Sequence, residues 1–239
     1  MTDHIVSSFD VELDTLRSKI AEMGGIAEKM LGDAIMALVR RDAALAQAVI
    51  AVDERLDALQ HDVEERAVLT IAKRQPMAVD LREIISAIRI AGDIERIGDL
   101  AKNTAKRVVA ISNELQPQKI VGGVQHMSDL VQAQLKDVLD AYAQKDTARA
   151  LDVWQRDDRI DALYTSIFRE LLTYMMEDPR NISFCTHLLF LAKNIERIGD
   201  HTTNIAETIH YLVTGKPVVA ERPKSDESSF TTVPVSGQQ

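Results

Sequence analysis

The amino-acid sequence contains few of the residues that interrupt or cross-link regular structure. Its 239 residues include one cysteine, ten glycines and six prolines, and aromatic residues make up only 4%. A single cysteine excludes an internal disulfide and a cysteine-based zinc site. Strand-rich folds need more turn-forming residues than this chain has, so the composition predicts long packed helices and an all-α fold.

Signals for export and for membrane insertion are also missing. The first 14 residues, MTDHIVSSFDVELD, carry acids where a signal peptide needs a basic start and an apolar run. No uninterrupted apolar stretch reaches the roughly 18 residues that a membrane-spanning helix needs. We therefore expect a cytoplasmic protein that meets a membrane only peripherally, through its partners.

Positive charge is in the minority. The chain has 28 Lys and Arg residues against 37 Asp and Glu residues, a formal net charge of -9. Binding of nucleic acid needs clustered positive charge to neutralise phosphates, so we expect no nucleic-acid partner, whereas cations or basic partners fit better. Apolar residues make up 46% of the chain, which is enough for a substantial core.

Two blocks of sequence occur twice and in the same order. Residues 53–59 read DERLDAL and residues 157–163 read DDRIDAL, an offset of 104. The motif IERIGD occupies residues 94–99 and again residues 195–200, an offset of 101. Because both blocks repeat at nearly the same spacing, we interpret the chain as a tandem duplication.

Sparse breaks divide each copy into three helices. The charged break at residues 40–42 matches one at 144–146, and a proline follows at positions 76 and 179. The predicted helices span residues 8–40, 43–73, 78–113, 118–144, 147–177 and 181–213. They indicate two tandem three-helix bundles, in domains 5–114 and 117–215. Residues 216–239 lack helical periodicity, and their composition predicts a disordered tail.

An acidic row lies on the third predicted helix of each copy. At 100° per residue, with Glu95 at zero, Asp99 lies at about 40° and Asn103 at about 80°, so the row continues the apolar stripe. The sixth predicted helix repeats the row with Glu196, Asp200 and Asn204. Both helices also carry a second apolar face, which indicates enclosure on two sides, by their own bundle and by the sister bundle or a second subunit.

A shorter acidic row with i, i+4 spacing lies on the second predicted helix of each copy. An antiparallel bundle brings the rows of its second and third helices face to face. The first acidic cluster then contains Asp53, Asp57, Glu95, Asp99 and Asn103. The second acidic cluster contains Asp157, Asp161, Glu196, Asp200 and Asn204.

Crowded carboxylates in a partly dry place need protons, basic side chains or a cation to compensate them. Salt bridges are one interpretation, since four arginines adjoin the acids: Arg55, Arg96, Arg159 and Arg197. Metal binding is the other, because carboxylate and amide oxygens one helical turn apart suit divalent cations. The repetition of the rows favours metal. The ligand chemistry leaves the ion open among Fe, Zn, Mn, Mg and Ca.

A di-metal carboxylate enzyme or a metal-storage protein is the competing interpretation of the same acids. That helical class uses paired Glu-x-x-His turns. The sequence has one such turn, at Glu207 and His210, and its counterpart at residues 106–109 contains neither residue type. No glycine-rich phosphate loop, Ser-His-Asp arrangement or nucleophile elbow is found, so we expect no catalytic residues and no enzyme.

A few other residues are interpreted as structural. Cys185, Trp154 and Phe168 are predicted to pack in the core. His61 follows Asp57 by one turn, but its counterpart in the second copy is Thr165. The repeat therefore does not support His61 as a ligand.

Two longer stretches resemble the PhoU family of phosphate-transport accessory proteins and phosphate-signalling regulators of bacteria. Residues 80–103 read DLREIISAIRIAGDIERIGDLAKN, similar to the first repeat of that family, and residues 192–215 read AKNIERIGDHTTNIAETIHYLVTG, similar to its second. The likeness covers roughly residues 5–215.

The resemblance implies two three-helix bundles in a cytoplasmic protein that is often a homodimer. It implies metal ions or metal clusters at both acidic clusters. It also implies two partners, a phosphate ABC transporter and a membrane sensor histidine kinase. The expected role is negative regulation of phosphate uptake and of the phosphate-starvation response, by contact rather than by catalysis.

Overall fold

The computed structural model describes residues 2–114 and 118–219, and these residues form helices and contain no strand. The helices are α1 (Thr2–Arg40), α2 (Ala43–Arg74), α3 (Val79–Ile111), α4 (Gln118–Gln144), α5 (Thr147–Arg156), α6 (Asp158–Glu177) and α7 (Ile182–Thr214), with a 3₁₀ turn at Pro179–Asn181. The predicted all-α fold of two three-helix bundles is confirmed, with α5 and α6 as two segments of one predicted helix. Most of the predicted tail, residues 220–239, lies outside the described residues.

The observed helix bounds differ most from the predicted ones at two places, and elsewhere by one or two residues. α1 begins at Thr2 instead of residue 8, since no proline or glycine precedes that point to end the helix. The predicted helix 147–177 is interrupted at Asp157, which is buried and still has right-handed helical backbone angles. Its Oδ1 atom lies 3.1 Å from the position that a Cβ atom on Gly199 would occupy. This break therefore accompanies a tertiary contact, which helical periodicity does not report.

The connection between the first two helices of each bundle has the same backbone conformation in both repeats. Arg41 and Lys145 both adopt left-handed angles, with φ of 57° and 52°. The aspartate that follows each of them caps the next helix: Asp42 accepts a hydrogen bond from the backbone N–H of Leu45, and Asp146 accepts two from the start of α5. Such caps satisfy N–H groups that a helix start leaves unpaired.

The two bundles join through equivalent helices. α3 packs against α7 and α1 packs against α4. α3 and α7 run antiparallel, because Asp93 contacts His201, with 2.9 Å between Oδ1 and Nδ1, whereas Arg107 further along α3 lies over the ring of Phe190. Pairing each helix with its own counterpart relates the bundles by an approximate two-fold axis.

The second apolar face of α3 and of α7 is buried in the interior of the chain. All six of its predicted members are fully buried: Ile90, Ile94, Ile97, Leu191, Ile195 and Ile198. Burial of one such side chain stabilises the fold by about 2 kcal/mol relative to exposure. This face is therefore covered within the chain itself and does not need a second subunit to cover it. Cys185 and Trp154 are buried as predicted, and burial raises the pKa of the Cys185 thiol.

No helix within residues 2–114 and 118–219 combines the length and the apolar character needed to cross a membrane.

A buried carboxylate on α3 ties the bundles together at a second point. Glu83, with a side chain 8% exposed, accepts a hydrogen bond of 2.6 Å from Nε of Arg17 on α1 and one of 2.9 Å from Nζ of Lys145 in the turn before α5. We expect Glu83→Ala to lower the free energy of unfolding by about 1–3 kcal/mol, since the hydrogen bonds that both basic side chains donate to this carboxylate are lost. Thermal unfolding followed by circular dichroism measures this change.

The matched control is Asp14, which pairs with the same arginine but has a side chain 67% exposed. Asp14→Ala should change stability by no more than about 0.5 kcal/mol, because exposed ion pairs contribute little. Equal effects of the two substitutions would contradict a bridging role for Glu83.

Candidate functional site

The first acidic cluster contains a lysine between its two rows. Nζ of Lys102 on α3 donates to Oδ2 of Asp53 on α2 and, at 2.6 Å, to Oδ1 of Asp99 on its own helix. The side chain of Lys102 is 19% exposed and that of Asp53 is 7% exposed. The rows on α2 and α3 therefore face each other, as the helical arrangement predicts, and an ammonium group lies between them.

Burial and mutual repulsion act on the remaining acids of this cluster. Burial raises the pKa of Asp57, the charge of Asp53 raises it further, and Lys102 opposes both effects. Burial also raises the pKa of Glu95, followed by the charge of Asp99. The pKa of Lys102 is raised in turn: burial alone lowers it, but the two accepting aspartates outweigh that effect. Lys102 thus stays charged and partly compensates the cluster.

The arginines named as salt-bridge partners have a smaller part in the first cluster. Arg96 approaches Glu95 at 3.5 Å and Asp99 at 3.7 Å, but its side chain is 63% exposed. Arg55 instead pairs with Glu22 on α1, at 2.6 Å. Exposed pairs of this kind contribute little stability. The main ionic partner within the cluster is Lys102, which the sequence reasoning missed.

The second acidic cluster is more deeply buried. Asp157 is 1% exposed, Asp161 is 3% exposed, and the side chain of Glu196 is 5% exposed. Oε1 of Glu196 accepts from Nζ of Lys193 at 2.9 Å, whereas its Oε2 atom is buried with no hydrogen-bond partner. An acceptor in that state costs about 1–3 kcal/mol, and more when it is charged.

The charge state of Glu196 reflects this burial. Burial raises the pKa of Glu196 to about 7, and the nearby carboxylates of Asp200 and Asp161 raise it as well. The hydrogen bond and charge of Lys193 lower it but do not outweigh the other effects. A carboxyl group that titrates near neutral pH in a nearly dry place is a candidate for cation binding.

The lysine that contacts each acidic cluster occupies a different position in the two repeats. The offset of 101 aligns Lys102 with Thr203, whose buried hydroxyl donates to the backbone oxygen of Asp200 at 2.7 Å. The same offset aligns Lys193 with Gly92. The acids themselves repeat without change. A comparison of the aligned positions in the sequence would therefore have shown that the lysines do not repeat.

The predicted amide ligands lie toward the exterior of the molecule. Asn103 and Asn204 are both exposed. Nδ2 of Asn204 donates to Oδ1 of Asp93 on α3 at 3.3 Å, so this amide contacts the other bundle. A ligand role for either asparagine stays a prediction.

The residues of the Glu-x-x-His turn, Glu207 and His210, have other partners. Glu207 accepts a hydrogen bond of 2.9 Å from the indole Nε1 of Trp154. His210 has its Nδ1 atom 3.0 Å from the backbone oxygen of Lys216, near the end of α7. His61, 79% exposed, lies 3.9 Å from Glu64. These contacts place the two members of the turn outside both acidic clusters.

The acids supply the chemistry of a cation site without a finished coordination shell. Among the described residues, no three His, Cys, Asp or Glu side chains converge closely enough to hold a metal ion. In the second acidic cluster, however, the donor set is rich in oxygen and one buried carboxylate oxygen lacks a partner. Such donors fit a hard divalent cation.

Comparison with known proteins decides the family. The family model described as the PhoU domain matches residues 20–108 and 124–209. The phosphate-specific transport system accessory protein PhoU homolog of Rhizobium meliloti (strain 1021) is 59% identical over 226 residues, covering 95% of each chain. The chain belongs to the PhoU family.

Other PhoU proteins match this chain both in fold and over nearly their whole length. The crystal structure of PhoU from Pseudomonas aeruginosa matches with a TM-score of 0.84 and 41% identity, covering 87% of this chain and 100% of that one. The PhoU homolog of Caulobacter vibrioides (strain NA1000 / CB15N) is 53% identical over 95% of this chain and 98% of its own. The resemblance drawn from the two IERIGD stretches is therefore confirmed, and each matched segment contains one acidic cluster.

Proposed function

We propose that the chain is a non-enzymatic negative regulator of phosphate uptake and of phosphate-starvation signalling. It acts in the cytoplasm, as a homodimer, by binding a phosphate ABC transporter and the sensor histidine kinase associated with it. The observation that carries this proposal is the 59% identity, over 95% of both chains, to a protein named as an accessory protein of phosphate-specific transport.

The surface of the fold supports action by contact. Two equivalent connections between helices expose large apolar side chains. Met77 and Val79 are 80% and 55% exposed between α2 and α3, and Met176 and Ile182 are 59% and 49% exposed between α6 and α7. Exposed apolar groups at the ends of long rigid helices suit contacts with protein partners.

We also propose that the acidic rows hold a divalent or multinuclear metal, with Fe, Zn, Mn and Mg as candidates. The support is strongest in the second acidic cluster, where Asp157, Asp161, Glu196 and Asp200 supply oxygen donors and Oε2 of Glu196 is buried without a partner. A bound cation would neutralise these acids and link the break between α5 and α6 to α6 and α7.

The partner proposal is tested by capture from cells. A tagged full-length chain should retain transporter subunits and a sensor kinase from phosphate-replete cells, and less of both from phosphate-starved cells, as read by mass spectrometry. The matched control is the tag alone. Cells that lack the protein should also take up several-fold more phosphate in replete medium. If neither partner exceeds the control and uptake is unchanged, the regulatory role is wrong.

The enzyme alternative is separated by turnover measurements on metal-loaded protein with phosphoesters and with oxygen. We expect no turnover above the buffer background. Robust turnover that disappears in both Glu95→Gln and Glu196→Gln would instead establish a carboxylate-metal enzyme. Size-exclusion chromatography with light scattering tests the homodimer, for which a monomer at micromolar concentration is the opposing result.

A further inference from the structure

Four arginines follow one line along α3, on the side where this helix meets α7. Arg82, Arg89 and Arg96 succeed one another at intervals of seven residues, and Arg107 lies 18 residues beyond Arg89. Seven residues fall about 20° short of two helical turns, and 18 residues complete about five turns, so the four side chains leave α3 within a sector of about 40°. These four residues, the arginine stripe, extend over roughly 37 Å.

Aromatic rings of α7 support two members of the stripe. Cζ of Arg89 lies 5.5 Å from the ring centre of Tyr211, and Cζ of Arg107 lies 4.4 Å from the ring centre of Phe190. A guanidinium group over an aromatic face is attracted to the ring but keeps its full positive charge. These contacts therefore position the two arginines without neutralising them.

Negative charge is missing beside three of the four arginines. In the described parts of the chain, Arg82, Arg89 and Arg107 have no carboxylate partner, and the Nε atoms of Arg82 and Arg107 are buried without a hydrogen-bond partner. Burial lowers the pKa of Arg107, but a guanidinium stays charged at neutral pH. Arginines on other surfaces do pair with carboxylates, at 2.6–2.7 Å, as seen at Arg55, Arg66 and Arg180.

A cavity of about 740 Å³ opens beside the middle of the stripe, between α3 and α7. The residues that line it include Arg89, Gly92, Arg96, Asn204, Thr208 and Tyr211. A Cβ atom on Gly92 would meet no atom within 4 Å, so the space above this position is open. The groove can therefore admit side chains of another molecule next to Arg89.

The acids that line this cavity already have partners. Asp93 lies 2.9 Å from Nδ1 of His201, and Glu207 accepts a hydrogen bond from the indole of Trp154. Glu95 lies 3.5 Å from Arg96. The positive charge of Arg89 is thus left without a counter-charge in a groove that is open to a partner.

The fold of a bundle does not require the stripe. The offset of 101 aligns Arg82, Arg89 and Arg107 with three uncharged residues of the second repeat: Ser183, Phe190 and Thr208. The second repeat forms the same three-helix bundle without charge at these positions. A rigid row of positive charge that folding does not need indicates a role in binding a negatively charged group.

The arrangement of charge fits an acidic helix of a protein partner. Carboxylates spaced by seven residues on such a helix would face successive arginines, and guanidinium–carboxylate pairs are strong and specific in geometry. The acidic row at Glu95 and Asp99 adjoins the stripe on α3, and the whole chain has a net charge of -9. A nucleic acid or a membrane surface is negative throughout, so both features would repel it.

We propose that the arginine stripe is a docking surface for an acidic helix of a protein partner. This inference rests on the proposed function, whose partners are a transporter and a sensor kinase, and it assigns their contact to one face of the molecule. The net charge favours basic partners, whereas this face of α3 carries the opposite charge and selects an acidic one.

The experiment measures binding of the full-length chain to two purified probes, the cytoplasmic region of the sensor kinase and the ATP-binding subunit of the transporter. The stripe variant combines Arg82→Ser, Arg89→Gln and Arg107→Thr. The control variant removes three paired charges from other surfaces, by Arg55→Gln, Arg66→Gln and Arg180→Gln, so both variants have the same net charge. Biolayer interferometry gives the Kd, and circular dichroism reports whether each variant is folded.

The stripe variant should raise the Kd for the bound probe at least tenfold, and the control variant should change it less than twofold. Added salt should weaken binding of the unaltered chain, since exposed charges are screened. If the stripe variant does not fold, Arg89→Gln alone should still raise the Kd several-fold. Equal Kd values for the two triple variants would overturn the inference and leave the partners in place. If neither probe binds the unaltered chain, the proposed function is wrong and the inference is wrong with it.

Other occupants of the stripe are separated by three further measurements. The unaltered chain should not sediment with phosphatidylglycerol vesicles. Glu221→Gln, Asp226→Asn and Glu227→Gln together should leave the Kd for each probe unchanged, and the stripe variant should keep its oligomeric state in size-exclusion chromatography. Vesicle binding through the stripe would assign it to a membrane. Tighter probe binding after the three changes near the C-terminus would assign it to the chain's own acids, and dissociation of the stripe variant would assign it to a second copy. Each of these results would overturn the inference.

Discussion

Raising the pH from 5 to 8 is expected to destabilise the metal-free protein through Glu196. The folded state raises the pKa of this carboxyl to about 7, above the ordinary glutamate value, so the folded chain binds more protons than the unfolded chain between pH 4.5 and 7. Stability contributed by the protonated form is present at the acid end of this window and is lost as pH rises through 7. The loss amounts to about 2–3 kcal/mol.

Melting temperatures in the presence of a chelator, measured across that pH range, test this expectation. Glu196→Gln removes the titrating group, so the variant should lose most of the fall in stability between pH 5 and 8. The matched control is Glu95→Gln at the equivalent position, where the carboxylate is 22% exposed. Its effect should be smaller. An unaltered pH profile in the Glu196 variant would show that this carboxyl is not held as the structure describes.

Replacing Gly98 by valine is expected to lower the free energy of unfolding by about 2–3 kcal/mol, because the bundle has no room for a side chain there. A Cβ atom at this position would lie 2.2 Å from Cδ2 of Leu56. Leu56 is fully buried, so it cannot move into solvent to relieve the clash. The melting temperature should fall by roughly 5–10 °C in a domain of this size.

Gly92 on the same helix provides the control. Its Cβ position has no neighbouring atom within 4 Å. Gly92→Val should therefore change the free energy of unfolding by no more than about 1 kcal/mol, in line with the modest helix propensities of both residues. Equal losses in the two variants would mean that helix propensity, and not the close contact of α2 with α3, governs position 98.

The helices were predictable because their signals are local. A proline, a charged break or a capping aspartate ends or starts a helix through its own backbone, as at Asp42 and Asp146. The bounds of α2 and α4 accordingly agree with prediction to within one residue. The break at Asp157 was missed because no local signal marks it, and it accompanies a close approach to Gly199 on another helix. The domain limits at 5–114 and 117–215 stay predictions.

The acids of the site were predictable as a pattern, but their partners were not. Repetition marked both rows, and the 100° rotation per residue placed them beside the core. Which basic side chain pairs with these acids depends on how long side chains extend between neighbouring helices. Arg55 is close to Asp53 and Asp57 in sequence but pairs with Glu22 on α1. The Lys102 side chain instead lies between the two acidic rows and donates to both of them.

The sequence by itself determined the helical class, the duplication, the family likeness and the faces on which the acids lie, since each follows from composition, spacing or local backbone preference. Only the tertiary structure decided that α3 packs antiparallel on α7, that Lys102 lies between Asp53 and Asp99, and that one oxygen of Glu196 is buried without a partner. These facts depend on distances between residues far apart in the chain, so the packing of whole helices sets them.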